Sequence, residues 1–213
     1  MKAIICLNGD PPSRHLAAVQ TAGGYVIAAD GACDYLARYG IKADCIVGDF
    51  DSFPYQRVEQ CLKPTGTVCR HEPEKDYTDG QLALEKALEG HYDDIVFLGA
   101  MGGRADHQAE NMRLLYEFAD RCSIRAVSDS CEVSIIRDEA VICGCRGCTV
   151  SLLPYTDSAR IEYSAGFKYP TVKLHLGRTE SLSHSGLSNV MMGNTAFVVL
   201  SQGAVAAYVY RKY

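Results

Sequence analysis

The 213-residue chain is 47% hydrophobic and 22% charged, a globular composition that excludes an intrinsically disordered protein. A formal net charge of −5 and the lack of any basic run argue against a nucleic-acid binder. No apolar stretch approaches the ~20 residues of a membrane-spanning helix, and the apolar run at the start is too short for a secretory signal, so a cytoplasmic enzyme is expected.

In chain order, Ile4-Ile5-Cys6-Leu7 runs into Asn8-Gly9-Asp10, and Tyr25-Val26-Ile27-Ala28-Ala29 into Asp30-Gly31. Cys45-Ile46-Val47 runs into Gly48-Asp49, and Ile95-Val96-Phe97-Leu98 into Gly99. Continuous apolar runs of this length suit strands buried on both faces of a parallel sheet. Helical stretches over residues 32–39, 79–88 and 105–120 separate them, with Leu84 and Leu88, and then Leu114 and Phe118, four apart. The alternation predicts an α/β fold, an open and mostly parallel Rossmann-like sheet with helices. After about Ser130 the texture changes to short strand candidates at residues 133–136, 150–153, 172–176, 196–200 and 204–210, with turn residues between them. That pattern predicts a C-terminal all-β sandwich domain. The boundary falls between residues 128 and 148, and we divide the chain as 1–130 and 131–213.

Most of the ten cysteines sit inside apolar runs and read as small core hydrophobes. Cys143-Gly144-Cys145-Arg146-Gly147-Cys148 contains one Cys-x-x-Cys, but no second pair follows to complete a four-ligand zinc site, so these read as turn residues.

Ligands of open α/β sheets bind at the carboxyl ends of the strands, where this chain places acidic or Gly-rich turns. In Gly48-Asp49-Phe50-Asp51-Ser52, an extended backbone would point Asp49 and Asp51 the same way and turn Phe50 to the core. Converging carboxylates raise each other's pKa unless a cation offsets the repulsion, and Mg²⁺ prefers carboxylate oxygens while bridging to phosphates. The bland alternative is a pair of turn and cap residues. In Lys75-Asp76-Tyr77-Thr78-Asp79-Gly80, Asp76 could be a helix N-cap with Asp79 in the first turn. Asp79 could equally be a third metal carboxylate, and Lys75 a phosphate contact. Gly102-Gly103-Arg104-Ala105-Asp106-His107 forms a strand-to-helix turn whose N–H groups, helix dipole and Arg104 fork suit phosphate. Its spacing matches neither a Walker A loop nor the dinucleotide fingerprint.

Taken in order, Ala29-Asp30-Gly31-Ala32, Val47 to Ser52, Lys75 to Asp79 and Gly102 to His107 resemble the signature set of the thiamine pyrophosphokinases. The resemblance continues through Ser151-Leu152-Leu153-Pro154, Gly166 to Pro170 and Gly186-Leu187-Ser188-Asn189. It implies an enzyme that converts ATP and thiamine to thiamine diphosphate and AMP, working as a homodimer with a thiamine-binding, dimerising sandwich. It implies Mg²⁺ and triphosphate on Asp49, Asp51 and Asp79. On the nucleotide side it implies Asp30, Lys75, Gly102, Gly103, Arg104, Asp106 and His107, and on the thiamine side Tyr169, Ser188 and Asn189. Tyr169 stands where animal members look to carry Trp. Two rivals share these residues: a diphosphokinase of the same fold acting on another heterocyclic alcohol such as a pterin, and a nucleotide- or vitamin-binding regulator without turnover.

Overall fold

The computed structural model describes residues 1–71, 77–169, 171, 175–177 and 186–211. The chain divides into two compact units, Met1–Ser128 and Asp129–Tyr213.

The first unit runs β1 (Lys2–Cys6), α1 (Arg14–Thr21), β2 (Tyr25–Ala29), α2 (Ala32–Tyr39), β3 (Ala43–Gly48), a 3-10 turn (Tyr55–Gln60), β4 (Leu62–Arg70), α3 (Asp79–Glu89), β5 (Asp94–Leu98), α4 (Ala105–Phe118) and β6 (Ser123–Val127). Its strands lie side by side in the order β6-β5-β1-β2-β3-β4, each bonded neighbour parallel. From β1 the chain adds β2, β3 and β4 on one side and β5 and β6 on the other. The β1/β5 junction is therefore a switch point, where loops diverge and leave a crevice. Past their first one or two residues the central strands are apolar because both faces are covered there: Ile4, Ile5, Ile27, Ile46 and Ile95 to Leu98 have no exposed surface. Each fully buried aliphatic side chain of this kind contributes roughly 1.5–3 kcal/mol.

Caps set the helix ends. Ser13 accepts from Leu16 N–H at the start of α1 (3.2 Å), and Thr78 accepts from Gln81 N–H at the start of α3 (3.2 Å). Gly40 closes α2 at φ +72°, its N–H donating to the carbonyls of Ala37 and Leu36. α1, β4 and β6 carried no expectation. α1 buries only Leu16 and Ala17 of its eight residues, and β4 is an edge strand with Pro64 and Gly66 and a mostly uncovered surface. Thr78, rather than Asp76, is the α3 cap; Asp76 lies outside the described residues.

The second unit contains β7 (Cys131–Ile136), β8 (Glu139–Cys143), β9 (Thr149–Pro154), β10 (Ser158–Ala165), β11 (His175–Gly177), β12 (Gly186–Val190), β13 (Thr195–Gln202) and β14 (Val205–Tyr210). Antiparallel pairing gives two groups, β12-β9-β14-β7 and β11-β10-β13-β8. One core joins them: Val150, Leu152, Val205, Ala207 and Val209 from the first, with Ile142, Ala159, Ile161, Val198 and Leu200 from the second. Residues two apart supply these side chains, as a half-buried strand requires. The expected strand over residues 172–176 appears as β11, and residues 172–174 lie outside the described residues. β10 and β12 lack a legible run because charged, polar or glycine residues interrupt it, whereas β8 carries the short apolar run Ala140 to Cys143 but buries only Ile142.

Candidate active site at the strand ends of the first unit

A cavity of about 620 Å³ opens at the carboxyl ends of β1, β2 and β3 and beside the starts of α3 and α4. That volume is within the range of small-ligand sites. Asp30, Asp49, Asp51 and Asp79 all line it, with Gly102, Gly103, Arg104 and His107 on the α4 side.

Asp30 follows β2 at φ +24° and is 2% exposed. Its backbone N–H still donates to Val47 O on β3 (2.9 Å), so the turn into α2 stays fastened to the sheet. Its carboxylate accepts from Ser52 N–H (2.9 Å) and Phe53 N–H (3.1 Å), which pins the loop after β3 against the end of β2. Burial pushes the Asp30 pKa up to about 6, and the neighbouring carboxyls of Asp51 and Asp79 push the same way, against the two N–H donors. A Cβ on Gly48 would stand 2.7 Å from the Asp30 Cβ, so the approach of the two strand ends requires glycine there.

The backbone between Asp49 and Asp51 is not extended, contrary to the expectation from strand alternation. β3 ends at Gly48, Phe50 takes φ +66°, and Asp49 Oδ1 accepts from Asp51 N–H (3.2 Å) in a side-chain-closed turn. The reversal changes the partners. One oxygen each of Asp30, Asp49 and Asp79 lies within 4.8 Å of the other two, a group of three ligand atoms drawn from the β2 end, the β3 loop and the first residue of α3. Asp51 lines the same cavity outside that group, its Oδ1 accepting from Ser52 Oγ (2.8 Å). Bonds from Ser52 and from the Asp30 carboxyl hold the Asp51 pKa below the ordinary carboxylate range.

Three converging carboxylate oxygens, one of them buried, form the hard-oxygen donor set that Mg²⁺ favours. Among the described residues lining the cavity, four aspartates and Glu110 face one arginine, Arg104. A polyphosphate anion cannot enter such a field without a cation to reverse it.

The glycine turn is held by the loop after β1. Gly9 N–H donates to Gly99 O and Asp10 N–H to Met101 O (both 2.8 Å). A Cβ on Gly9 or Gly99 would meet backbone oxygen at 2.4 or 2.3 Å, so the two loops touch along glycine. Contrary to the expectation of open phosphate donors, Gly103 N–H donates to Asp10 Oδ1 (3.2 Å) and Gly102 N–H to Gln108 Oε1 (2.7 Å). Arg104 caps α4 without a side-chain cap bond and forks onto Asp106 (2.6 and 3.1 Å). The pairing keeps the Asp106 carboxyl well below the usual range. Asp106 is not one of the residues lining the cavity, whereas His107 is. Lys75 lies outside the described residues. Sequence reasoning missed Asn8, Tyr77, Glu110 and Asn111 on the wall. Asn111 is buried in α4 and donates to Ala100 O (3.0 Å); a polar residue inside an apolar helix face was the available signal.

Tyr169, Ser188 and Asn189 form a separate cluster in the second unit. Tyr169 is 55% exposed, with Lys168 Nζ 5.2 Å from its ring centre. Asn189 is buried and spends its amide on the chain: Oδ1 accepts from Tyr169 N–H (3.0 Å) and Val190 N–H (2.9 Å), and Nδ2 donates to Tyr169 O (2.8 Å). It is placed to hold Tyr169 in position. Ser188 is exposed at φ +57°, its N–H donating to Ser151 Oγ (3.1 Å).

Residues 17–127 match the family described as thiamin pyrophosphokinase, catalytic domain. The chain is 33% identical to thiamine pyrophosphokinase of Bacillus subtilis (strain 168) over 148 residues, a span that covers 64% of this chain and 66% of that relative's length. It is 27% identical to thiamin pyrophosphokinase 1 of Caenorhabditis elegans over 220 residues, covering 92% of this chain and 87% of that one. The crystal structure of thiamine pyrophosphokinase from Bacillus subtilis superposes with a TM-score of 0.85 at 26% identity, covering both chains completely.

Proposed function

Since the chain belongs to the thiamin pyrophosphokinase family, we propose that it transfers the pyrophosphoryl group of ATP to the hydroxyl of thiamine, giving thiamine diphosphate and AMP. The observation that carries this reading is the group of Asp30, Asp49 and Asp79 oxygens in one cavity with the Gly102-Gly103-Arg104 turn. Asp30, Asp49 and Asp79 would hold Mg²⁺, which would supply positive charge to offset that of a triphosphate. The protein's own part is positioning. Asp30 clamps the loop after β3 through Ser52 and Phe53, which sets where the Asp49 carboxylate stands. Arg104 turns from Asp106 to a phosphate oxygen, an exchange of one oxyanion for another that preserves the planar fork. Phosphoryl transfer needs an in-line arrangement more than covalent participation, and a rigid strand-end scaffold provides it.

Tyr169 presents an exposed aromatic face for the thiamine rings, Asn189 fixes its backbone, and Ser188, exposed and next to Asn189 in the chain, offers a hydroxyl. We extend the proposal to a cytoplasmic homodimer whose first domain, residues 1–130, binds nucleotide and whose second, residues 131–213, binds thiamine and dimerises. The test of the reaction is product analysis after incubation with ATP, Mg²⁺ and thiamine. AMP with thiamine diphosphate is expected; ADP with thiamine monophosphate would overturn the reading, as would ATP binding without turnover.

A further inference from the structure

The Cys-x-x-Cys of residues 145–148 has a geometry that a turn alone does not need. Cys148 N–H donates to Cys145 O (3.0 Å), so residues 145–148 form a four-residue β-turn between β8 and β9, with Gly147 at φ +89° in the third position. Such a turn brings its end Cα atoms within about 7 Å, inside the range a disulfide spans. The side chains also face each other. The two Sγ atoms are 2.6 Å apart, and Cys145 N–H donates to Cys148 Sγ (3.2 Å). Access is divided between them: Cys145 is exposed, while Cys148 is 1% exposed against the core of the second unit. No zinc set is completed among the described residues, where the one group of three or more potential ligands is the aspartate cluster.

We propose that Cys145 and Cys148 form a reversible dithiol–disulfide site that exchanges with small-molecule disulfides of the glutathione type. The exposed Cys145, as its thiolate, attacks one sulfur of the disulfide RS–SR. The RS–SR bond breaks, RS⁻ leaves and takes up a proton, and Cys145 carries a mixed disulfide. Cys148 then loses its proton to solvent and attacks Cys145 Sγ, expelling the second RS⁻, which is protonated in turn. The two cysteines are oxidised by two electrons in all, and RS–SR is reduced to two RSH. Hydrogen bonding to Cys148 holds the Cys145 thiol above its ordinary pKa, with Arg211 pulling the other way, so exchange is slow near neutral pH and speeds up as pH rises. Cys148 O accepts from Met191 N–H and Gly147 N–H donates to Met191 O (both 2.9 Å), so closing the turn stiffens its link to the residue that follows β12.

The full chain, reduced and desalted, is equilibrated with a series of reduced-to-oxidised glutathione ratios. Free thiols are then trapped by alkylation and the peptides weighed. The peptide containing residues 145–148 should lose two hydrogens at an intermediate ratio and regain them when the ratio is reversed, with Met191 amide exchange slower in the closed form. Cys148→Ser should stall as a glutathione adduct on Cys145. Cys145→Ser should leave Cys148 unmodified, and Cys143→Ser should close as the parent does. Failure to close at any ratio, closure onto Cys143 or between chains, or a glutathione adduct that persists with Cys148 intact would each overturn the proposal.

Discussion

Replacing Asp30 with asparagine should reverse its effect on stability between acid and neutral pH. The Asp30 carboxyl sits at about 6 against an unfolded value of 3.8, because burial and neighbouring carboxyls disfavour its charged form. Between those values the folded protein binds a proton that the unfolded chain does not. The stabilisation is thus complete below the unfolded pKa and is lost as pH rises through the folded one. Two units correspond to about 3 kcal/mol, of which about 2 kcal/mol falls between pH ~4.5 and ~7.5. The substituted asparagine keeps one acceptor, but its amide nitrogen faces either Ser52 N–H or Phe53 N–H, costing about 1–2 kcal/mol at every pH. Without metal, Asp30→Asn should therefore be less stable than the parent near pH ~4.5 and level with or above it near pH ~7.5. Urea unfolding in chelator, followed by helical circular dichroism, reads this out, since the α-helices of the described residues all lie in the first unit. The difference between the two proteins cancels titration elsewhere. Mg²⁺ should then stabilise the parent at neutral pH and do less for the variant. A parent-minus-variant difference that stays flat across this pH range would refute the reasoning.

Other outcomes test the remaining parts of the site. Asp49→Asn and Asp79→Asn should each lower AMP formation by about 100-fold or more at saturating ATP, with the thermal midpoint unchanged or raised in chelator, because each relieves a repelling cluster. Asp51→Asn should also lower turnover; full activity would leave Asp51 a structural role through its bonds with Ser52 and Asp30. Asp10→Ala should raise the Michaelis constant for ATP by about an order of magnitude through the loosened Gly102-Gly103 turn. Asp10→Asn, which keeps an oxygen for Gly103 N–H, should restore it, and equal defects in both variants would contradict that role. Tyr169→Ala should raise the Michaelis constant for thiamine far more than that for ATP, and an equal rise in both would remove Tyr169 from the acceptor side.

Strands β1, β2, β3 and β5 of the first unit were legible because burial on both faces leaves a continuous apolar run, as in Ile95 to Leu98. Edge and half-covered strands lack that signature: β4 mixes half-buried with exposed positions, and β10 mixes buried with exposed ones. At the site, every aspartate of the metal group was visible as a strand-end or helix-start residue. The grouping was not visible, because it depends on one backbone angle. An extended Phe50 would aim Asp49 and Asp51 together, whereas φ +66° turns the chain and leaves Asp49 to meet Asp30 and Asp79. The link from Asn189 to Tyr169 was hidden for a similar reason, since a sequence cannot show that both ends of an amide are bonded to that residue's backbone.

These features share a physical origin in the parallel register of the first unit. Parallel β1, β2, β3 and β5 must end on one edge, so the loops that carry Asn8, Asp30, Asp49 and Gly99 cannot avoid one another. Close packing is then possible only with glycine at Gly9, Gly48 and Gly99, where a Cβ would collide. The same closeness brings carboxylates to within 4.8 Å and buries Asp30, an arrangement the folded chain resists by raising its pKa. A cation reverses that resistance. It gains most from an acidic group already held in place, and the bonds from Ser52 and Phe53 to Asp30 do the holding. On the proposed reading, the strain of the metal-free site and the affinity for Mg²⁺ would be two aspects of one interaction. A variant that relaxes the first must weaken the second, and the paired measurements on Asp30→Asn can test that coupling.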